Sequence, residues 1–113
     1  MIILIRDVIQ SNFAVSPENG DKVYNLLKER LSNKELTVLS FEGLDQITTA
    51  FLNNAIAKLY NNFSSEQLNK YLKITDLDTY DKYLLKKVIE RAKLKLQDDP
   101  ETLEGIKGEF GNE

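Results

Sequence analysis

The sequence predicts an α/β fold: one small domain with a mostly parallel or mixed sheet of three to four strands, packed by about three main helices. Three observations carry that expectation. Two short β-rich runs, MIILI at residues 1–5 and ELTVLSF at 35–41, read as strands. The chain between them has helical periodicity and is long enough for a crossover, so the two strands should lie parallel, joined by a right-handed connection. A third strand-like run at residues 71–75 leads into the longest helical pattern in the chain, residues 79–96.

Ile2, Ile3, Leu4 and Ile5 form a continuous apolar run, rich in β-branched residues and suited to a strand buried on both faces, which Val8 and Ile9 are expected to prolong. Gln10-Ser11-Asn12 reads as a turn, followed by a brief strand at Phe13 and Val15. Ser16-Pro17-Glu18 is a helix start. Ser16 caps, Pro17 fits the first helical position, and Glu18 favours the positive end of the dipole. Val23, Leu26, Leu27 and Leu31 then fall on one face, Gly20 costs a little relative to alanine, and Ser32-Asn33 closes the helix.

After the second strand, Glu42-Gly43 turns the chain. An amphipathic helix begins at Thr48 or Thr49 with Phe51, Leu52, Ala55, Ile56, Leu59 and Tyr60 along its apolar stripe. Ser64 with Gln67 makes a capping box for a turn or two of helix. Tyr71 to Thr75 is the third strand. In the last helix Leu85, Val88, Ile89, Ala92 and Leu96 form the core face, with Asp78 or Thr79 as its cap.

The chain has 113 residues, 42% apolar and 29% charged, which suits one soluble globular domain with a real core. Five apolar residues before Arg6 and Asp7 are too few for a secretory signal, and no window approaches a membrane span. A cytoplasmic protein without membrane attachment is expected. The net charge of −3 is unevenly placed. Residues 98–113 hold six acids and one base; residues 1–97 hold 12 acids and 14 bases. The division is therefore a domain over 1–97 and an acidic tail over 98–113, expected to be flexible, with Ile106 and Phe110 as its only anchors. A near-neutral body makes nucleic acid an unexpected partner.

The absence of histidine and cysteine removes serine–histidine triads, thiol nucleophiles and zinc sites built from those ligands. Asp76-Leu77-Asp78-Thr79-Tyr80-Asp81 fails as a calcium loop. Its fifth, sixth and twelfth positions hold Tyr80, Asp81 and Lys87 where an oxygen ligand, glycine and glutamate are needed. The glycines are isolated and make no phosphate loop. The bases of the last helix (Lys82, Lys86, Lys87, Arg91, Lys93, Lys95) lack interleaved aromatic residues and read as a solvated face. No cofactor, metal or catalytic residue is expected. What stands out is Thr48-Thr49 at a helix start, where a hydroxyl caps the helix and where an added phosphate would meet free amides.

The segment TVLSFEGLDQITTAFLNNAIAKLY resembles the central signature of the STAS-like domain family, a bacterial group of unknown function related to anti-sigma-factor antagonists. It has the hydrophobic strand, the acidic turn with glycine, a hydroxyl-rich segment and an apolar helix. Phe13 to Gly20 and Tyr71 to Ala92 resemble the family's first helix start and last strand–helix unit. The resemblance implies a STAS-like α/β fold acting through protein–protein contact. Its partner would be a histidine-kinase-like ATPase or a sensor protein. In the antagonists such an ATPase phosphorylates a serine at the start of the second helix. By position, that family's D-S-S-G motif falls on Thr48, Thr49, Ala50 and Phe51. The phosphorylated serine is replaced by Ala50, so the hydroxyl left for modification is Thr49, one place earlier.

The expected role is a non-catalytic regulatory interaction module, bacterial or phage, whose partner surface is Asp45, Gln46, Thr48, Thr49 and Asn53. On this reading Asn53 and Asn54 remain polar because a partner meets them, and a solvent-exposed face without a partner explains them equally economically. Two alternatives differ in class. One is a small enzyme or nucleotide-binding protein using carboxylates such as Asp45, Asp76 and Asp78 at strand ends. The other is an assembly, host-takeover or defence subunit whose acidic tail engages a basic partner.

Overall fold

A computed structural model of the chain describes residues 1–97. Strand β1 (Ile2–Leu4) opens the fold, followed at once by a short helix, α1 (Ile5–Ile9). The expected prolongation of β1 through Val8 and Ile9 is therefore wrong. Ile5, Val8 and Ile9 recur at helical rather than alternating spacing, and Ile5 and Ile9 are both buried. Gln10 ends the helix in the left-handed region at φ 58°, and the Ser11 N–H donates to the Arg6 carbonyl (3.2 Å), the closing bond of a Schellman turn.

Strand β2 (Phe13–Ala14) leads into α2 (Pro17–Ser32), with Ser16 Oγ accepting from the Asn19 N–H at 3.1 Å, so the cap and Pro17 stand where expected. Val23, Leu27 and Leu31 are buried along one face of α2. Strand β3 (Thr37–Ser40) follows, then the two-residue β4 (Gln46–Ile47), which the sequence gives no sign of. Helix α3 (Thr49–Ala55) breaks at Ile56, whose φ and ψ leave the α region, and a 3₁₀ turn (Ala57–Asn61) replaces its expected continuation. The tighter spacing still buries Leu59, whose N–H reaches the Ile56 carbonyl at 3.0 Å. The capping box of Ser64 and Gln67 is formed at the start of α4 (Ser65–Tyr71), which runs directly into β5 (Leu72–Thr75). The last helix is α5 (Thr79–Gln97), capped by Asp78, whose Oδ1 accepts from the Asp81 N–H at 2.8 Å. Expectations for residues 98–113, and for the side chains of Lys95 and Leu96, fall outside what is described.

The sheet is parallel throughout, in the order β1-β3-β5, with Ile3, Leu39 and Ile74 in register across it. A separate parallel pair joins β2 to β4, setting Phe13 against Gln46 and Ala14 against Ile47. This is the α/β architecture predicted, with three strands in the main sheet. Ile3 and Leu39 enter the core with Val23, Leu27, Phe51, Leu52, Leu59 and Val88 from the helices. The other sheet face carries Ile2, Val38 and Lys73, and Ile2 is 67% exposed. Burial of β1 on both faces is thus also wrong: β1 is an edge strand, and its core contribution comes from Ile3.

Helix α2 packs most extensively on α3. Gly20 makes that approach possible, since a Cβ there would lie 2.7 Å from the Phe51 carbonyl oxygen. Gly43 is a second position that needs glycine: its φ is +81°, and the Arg6 side chain lies against it.

Candidate functional site

The loop from Phe41 to Thr48 is held at both ends. Phe41 is buried, and its N–H donates to the Thr75 carbonyl at 3.1 Å. Further on, the Asp45 N–H donates to the Asn12 carbonyl at 2.7 Å, the β2–β4 pair follows, and the Thr48 N–H donates to the Ala14 carbonyl at 3.1 Å. The loop is therefore pinned to the chain that precedes α2, some 33 residues earlier in sequence.

Thr48 and Thr49 part company here. The Thr48 hydroxyl accepts from the Phe51 N–H (3.2 Å), capping α3, and donates to the Val15 carbonyl (2.8 Å). Both capacities of that oxygen are used within the chain, and the residue is half-buried. Thr49 is the first residue of α3, is exposed, and makes no side-chain hydrogen bond among the described residues. Thr48→Ala is therefore expected to cost about 1–2 kcal/mol of stability. Thr49→Ala should stay within about 0.5 kcal/mol. Urea denaturation of the two variants checks the contrast, and equal losses would overturn it.

Asp45 and Gln46 are exposed, as are Ala50 and Phe13. Phe13 is 51% exposed and pairs with Gln46, so an aromatic ring stands at the surface beside the predicted residues. Sequence reasoning missed it because an apolar residue in a strand is expected inside; its alternation with the fully buried Ala14 was the available signal.

Asn53 lies apart from this patch, half-buried in a groove with Ala57, Arg91 and Ala92 between α3 and α5. Asn54 is also half-buried, and its amide donates to the Pro17 carbonyl (3.3 Å) and to Asp21 Oδ1 (3.1 Å). Asn54 thus ties α3 to α2, and partner contact is not what keeps it polar. Lys58 Nζ joins the same carboxylate at 2.6 Å, and these contacts, Lys58 foremost, lower the pKa of Asp21.

The carboxylates of the enzymatic alternative are placed as follows. Asp76 ends β5 in the left-handed region at φ 66° and accepts from Ser40 Oγ (2.6 Å) and Thr75 Oγ1 (3.0 Å). These hydroxyls, Ser40 first, hold its carboxyl below the usual range. Ser40 is itself buried and accepts from the Glu42 N–H at 3.2 Å, so the group also fixes the start of the loop. Asp78 is committed to capping α5. Beside it, Asp81 has a raised pKa, from burial first and then the neighbouring Asp78 charge. Among the described residues no three carboxylates are grouped so as to hold a metal ion, and no helix is long and apolar enough to cross a membrane.

A family described as a STAS-like domain of unknown function (DUF4325) matches residues 19–82, more than half of the chain. The chain belongs to that family. The match runs from the first turn of α2 to the first turn of α5 and takes in the pinned loop, Thr48 and Thr49. No curated protein and no solved structure is significantly similar to the chain. Within this STAS-like domain the family match covers Asp45, Gln46 and Asn53 but begins after Phe13, which the β2–β4 pairing sets against Gln46.

Proposed function

We propose that this STAS-like chain is a non-catalytic, cytoplasmic regulatory module that binds another protein through the pinned loop and the start of α3. Asp45, Gln46 and Thr49 form the contact surface together with Phe13. Thr48 shapes it from within, while Asn53, in the groove between α3 and α5, lies outside it. The single observation that carries this reading is the half-exposed Phe13 ring, fixed beside Gln46 by backbone pairing. Aromatic side chains on a rigid backbone are common anchors of protein interfaces, because they bury much area for little lost freedom.

The partner we favour is a histidine-kinase-like ATPase or a sensor protein, with Thr49 as the hydroxyl open to phosphorylation. A phosphate there adds nearly two negative charges at the start of α3 and so changes the charge a partner meets. Asp76 and Asp78 are occupied by hydrogen bonds inside the chain, which favours a binding role over a carboxylate-based reaction.

The test is the affinity of the purified chain for the ATPase or sensor protein encoded beside it. Phe13→Ala is expected to weaken binding about 30-fold, a loss of about 2 kcal/mol. Thr49→Glu should weaken it measurably without changing thermal stability. Affinity unchanged by both substitutions refutes the proposed surface. A rise in melting temperature with nucleotide and magnesium would favour the carboxylate reading at Asp76 instead.

A further inference from the structure

Strand β5 is the far edge of the main sheet, with a strand neighbour on one side only among the described residues. The Thr75 carbonyl accepts from the Phe41 N–H, so Thr75 turns its main-chain groups toward β3. These groups alternate in direction along a strand, and Leu72 and Ile74 therefore turn theirs outward. Leu72 donates its N–H to the Leu68 carbonyl of α4. The N–H and C=O of Ile74 have no such partner among the described residues, and Ile74 lines an open groove of about 690 Å³ between β5 and α5. Helix α5 packs on α3 and the 3₁₀ turn, and its Leu85 and Ile89 line the groove beside Ile74. They make an apolar floor where a further strand beside β5 would lie. Lys82, Lys86 and Lys93 run along the rim at helical spacing, and none makes an ion pair among the described residues. The acids at the groove are Glu90 and Asp76, and Asp76 already accepts from two hydroxyls.

We propose that this groove takes an extended acidic segment of a partner protein, added to the sheet as a strand beside β5. Each feature of the groove selects one property of that segment. The outward N–H and C=O of Ile74 need main-chain partners, which an extended backbone supplies and a helix does not. Alternate side chains of the incoming strand point to the Leu85 and Ile89 floor and are apolar. The three rim lysines select acidic residues among the rest. Main-chain bonds thus give attachment, while the floor and the rim give the choice of partner. Strand β5 has four residues, so a segment of about six is enough to cover it. A nucleic acid would answer the lysines but not the apolar floor. A second copy docked edge to edge would bring two lysine rims together, which like charges oppose.

The probe is a fluorescein-labelled peptide that alternates valine with glutamate and is blocked at both ends. Titrated with the full chain, it is expected to show a saturable rise in anisotropy. The same peptide with lysine for glutamate should bind about tenfold more weakly. Methylating every second amide nitrogen, in one of the two possible registers, should also weaken binding about tenfold, because the donors facing Ile74 are then lost. Lys82→Glu, Lys86→Glu and Lys93→Glu together should reverse the preference between the two peptides, while circular dichroism shows an unchanged melting curve. Should that variant melt early, Lys82→Gln, Lys86→Gln and Lys93→Gln must still remove the preference. Failure of the full chain to bind the acidic peptide overturns the proposal, whether a second copy, the chain's own residues 98–113 or nothing fills the groove. So does equal affinity for the acidic and basic peptides, or for the methylated peptides in both registers. Tighter binding of oligothymidylate, lost with the same lysines, also overturns it by assigning the rim to nucleic acid. None of these outcomes bears on Phe13 or Thr49, so this proposal and the proposed function fail separately.

Discussion

Gly20→Ala is expected to destabilise the chain by about 1–2 kcal/mol, and Gly20→Leu by enough to prevent stable folding. The usual direction is the opposite, because alanine in a helix is worth up to about 1 kcal/mol over glycine. Packing reverses the sign here. A Cβ at Gly20 would lie 2.7 Å from the Phe51 carbonyl oxygen, 2.9 Å from Asn54 Cβ and 3.2 Å from the Ala55 nitrogen. Two of those atoms are backbone, so no flexible side chain can swing aside, and α2 and α3 must separate along their main contact. Overpacking of that kind costs about 1–3 kcal/mol for small additions, more than the propensity gain. The Asn54 bonds to Pro17 and Asp21 span the same contact and would be stretched with it. Asn25→Ala, on an exposed part of the same helix, supplies the control and should be neutral or slightly stabilising. Urea unfolding of the three variants decides the matter through the midpoint at constant slope, and a more stable Gly20→Ala chain would disprove the close approach.

Elements with strong local signals were legible in the sequence. Helix α2 has a cap, a proline and an apolar stripe, all acting within one segment, and α4 has both halves of its capping box. The parallel β1–β3 pairing followed from a helix long enough to cross between two β-rich runs. What escaped depends on distant contacts or on competing patterns. Ile2 to Ile5 is β-branched enough to hide the helical spacing of Ile5, Val8 and Ile9, and that helix is only five residues long. Gln46 and Ile47 form a strand only because Phe13 and Ala14 lie beside them. The need for glycine at position 20 was missed for the same reason, since the neighbour that excludes a Cβ is on another helix. At the site, the cap at Thr48 could be read from residue type, but its bond to Val15 and the exposure of Phe13 come from the loop being pinned back on β2.

Phe51→Ala should have the largest effect of any single truncation near the proposed contact surface, about 3–5 kcal/mol. Phe51 heads the fully buried side chains by size, with no exposed area, and sits among the helical residues that cover the sheet. Removing its ring leaves a void in the core cluster it shares with Val23, Leu27, Leu52 and Leu59, and the surrounding helices are tied too firmly to close the space. The Asp21, Asn54 and Lys58 bonds hold α2, α3 and the 3₁₀ turn at fixed separation, and Thr48 fixes the start of α3 through Val15. A domain of this size has about 5–15 kcal/mol in total, so the loss is a large share and should lower the melting temperature by roughly 20 °C. The start of α3 divides at this residue: Thr49 and Ala50 are exposed while Phe51 is buried. Ala50→Ser is the matched surface change and should leave the melting temperature within about 2 °C. If Phe51→Ala melts as the parent chain does, the ring is not the core anchor of α3, and the rigid presentation of Thr49 and Phe13 loses its foundation.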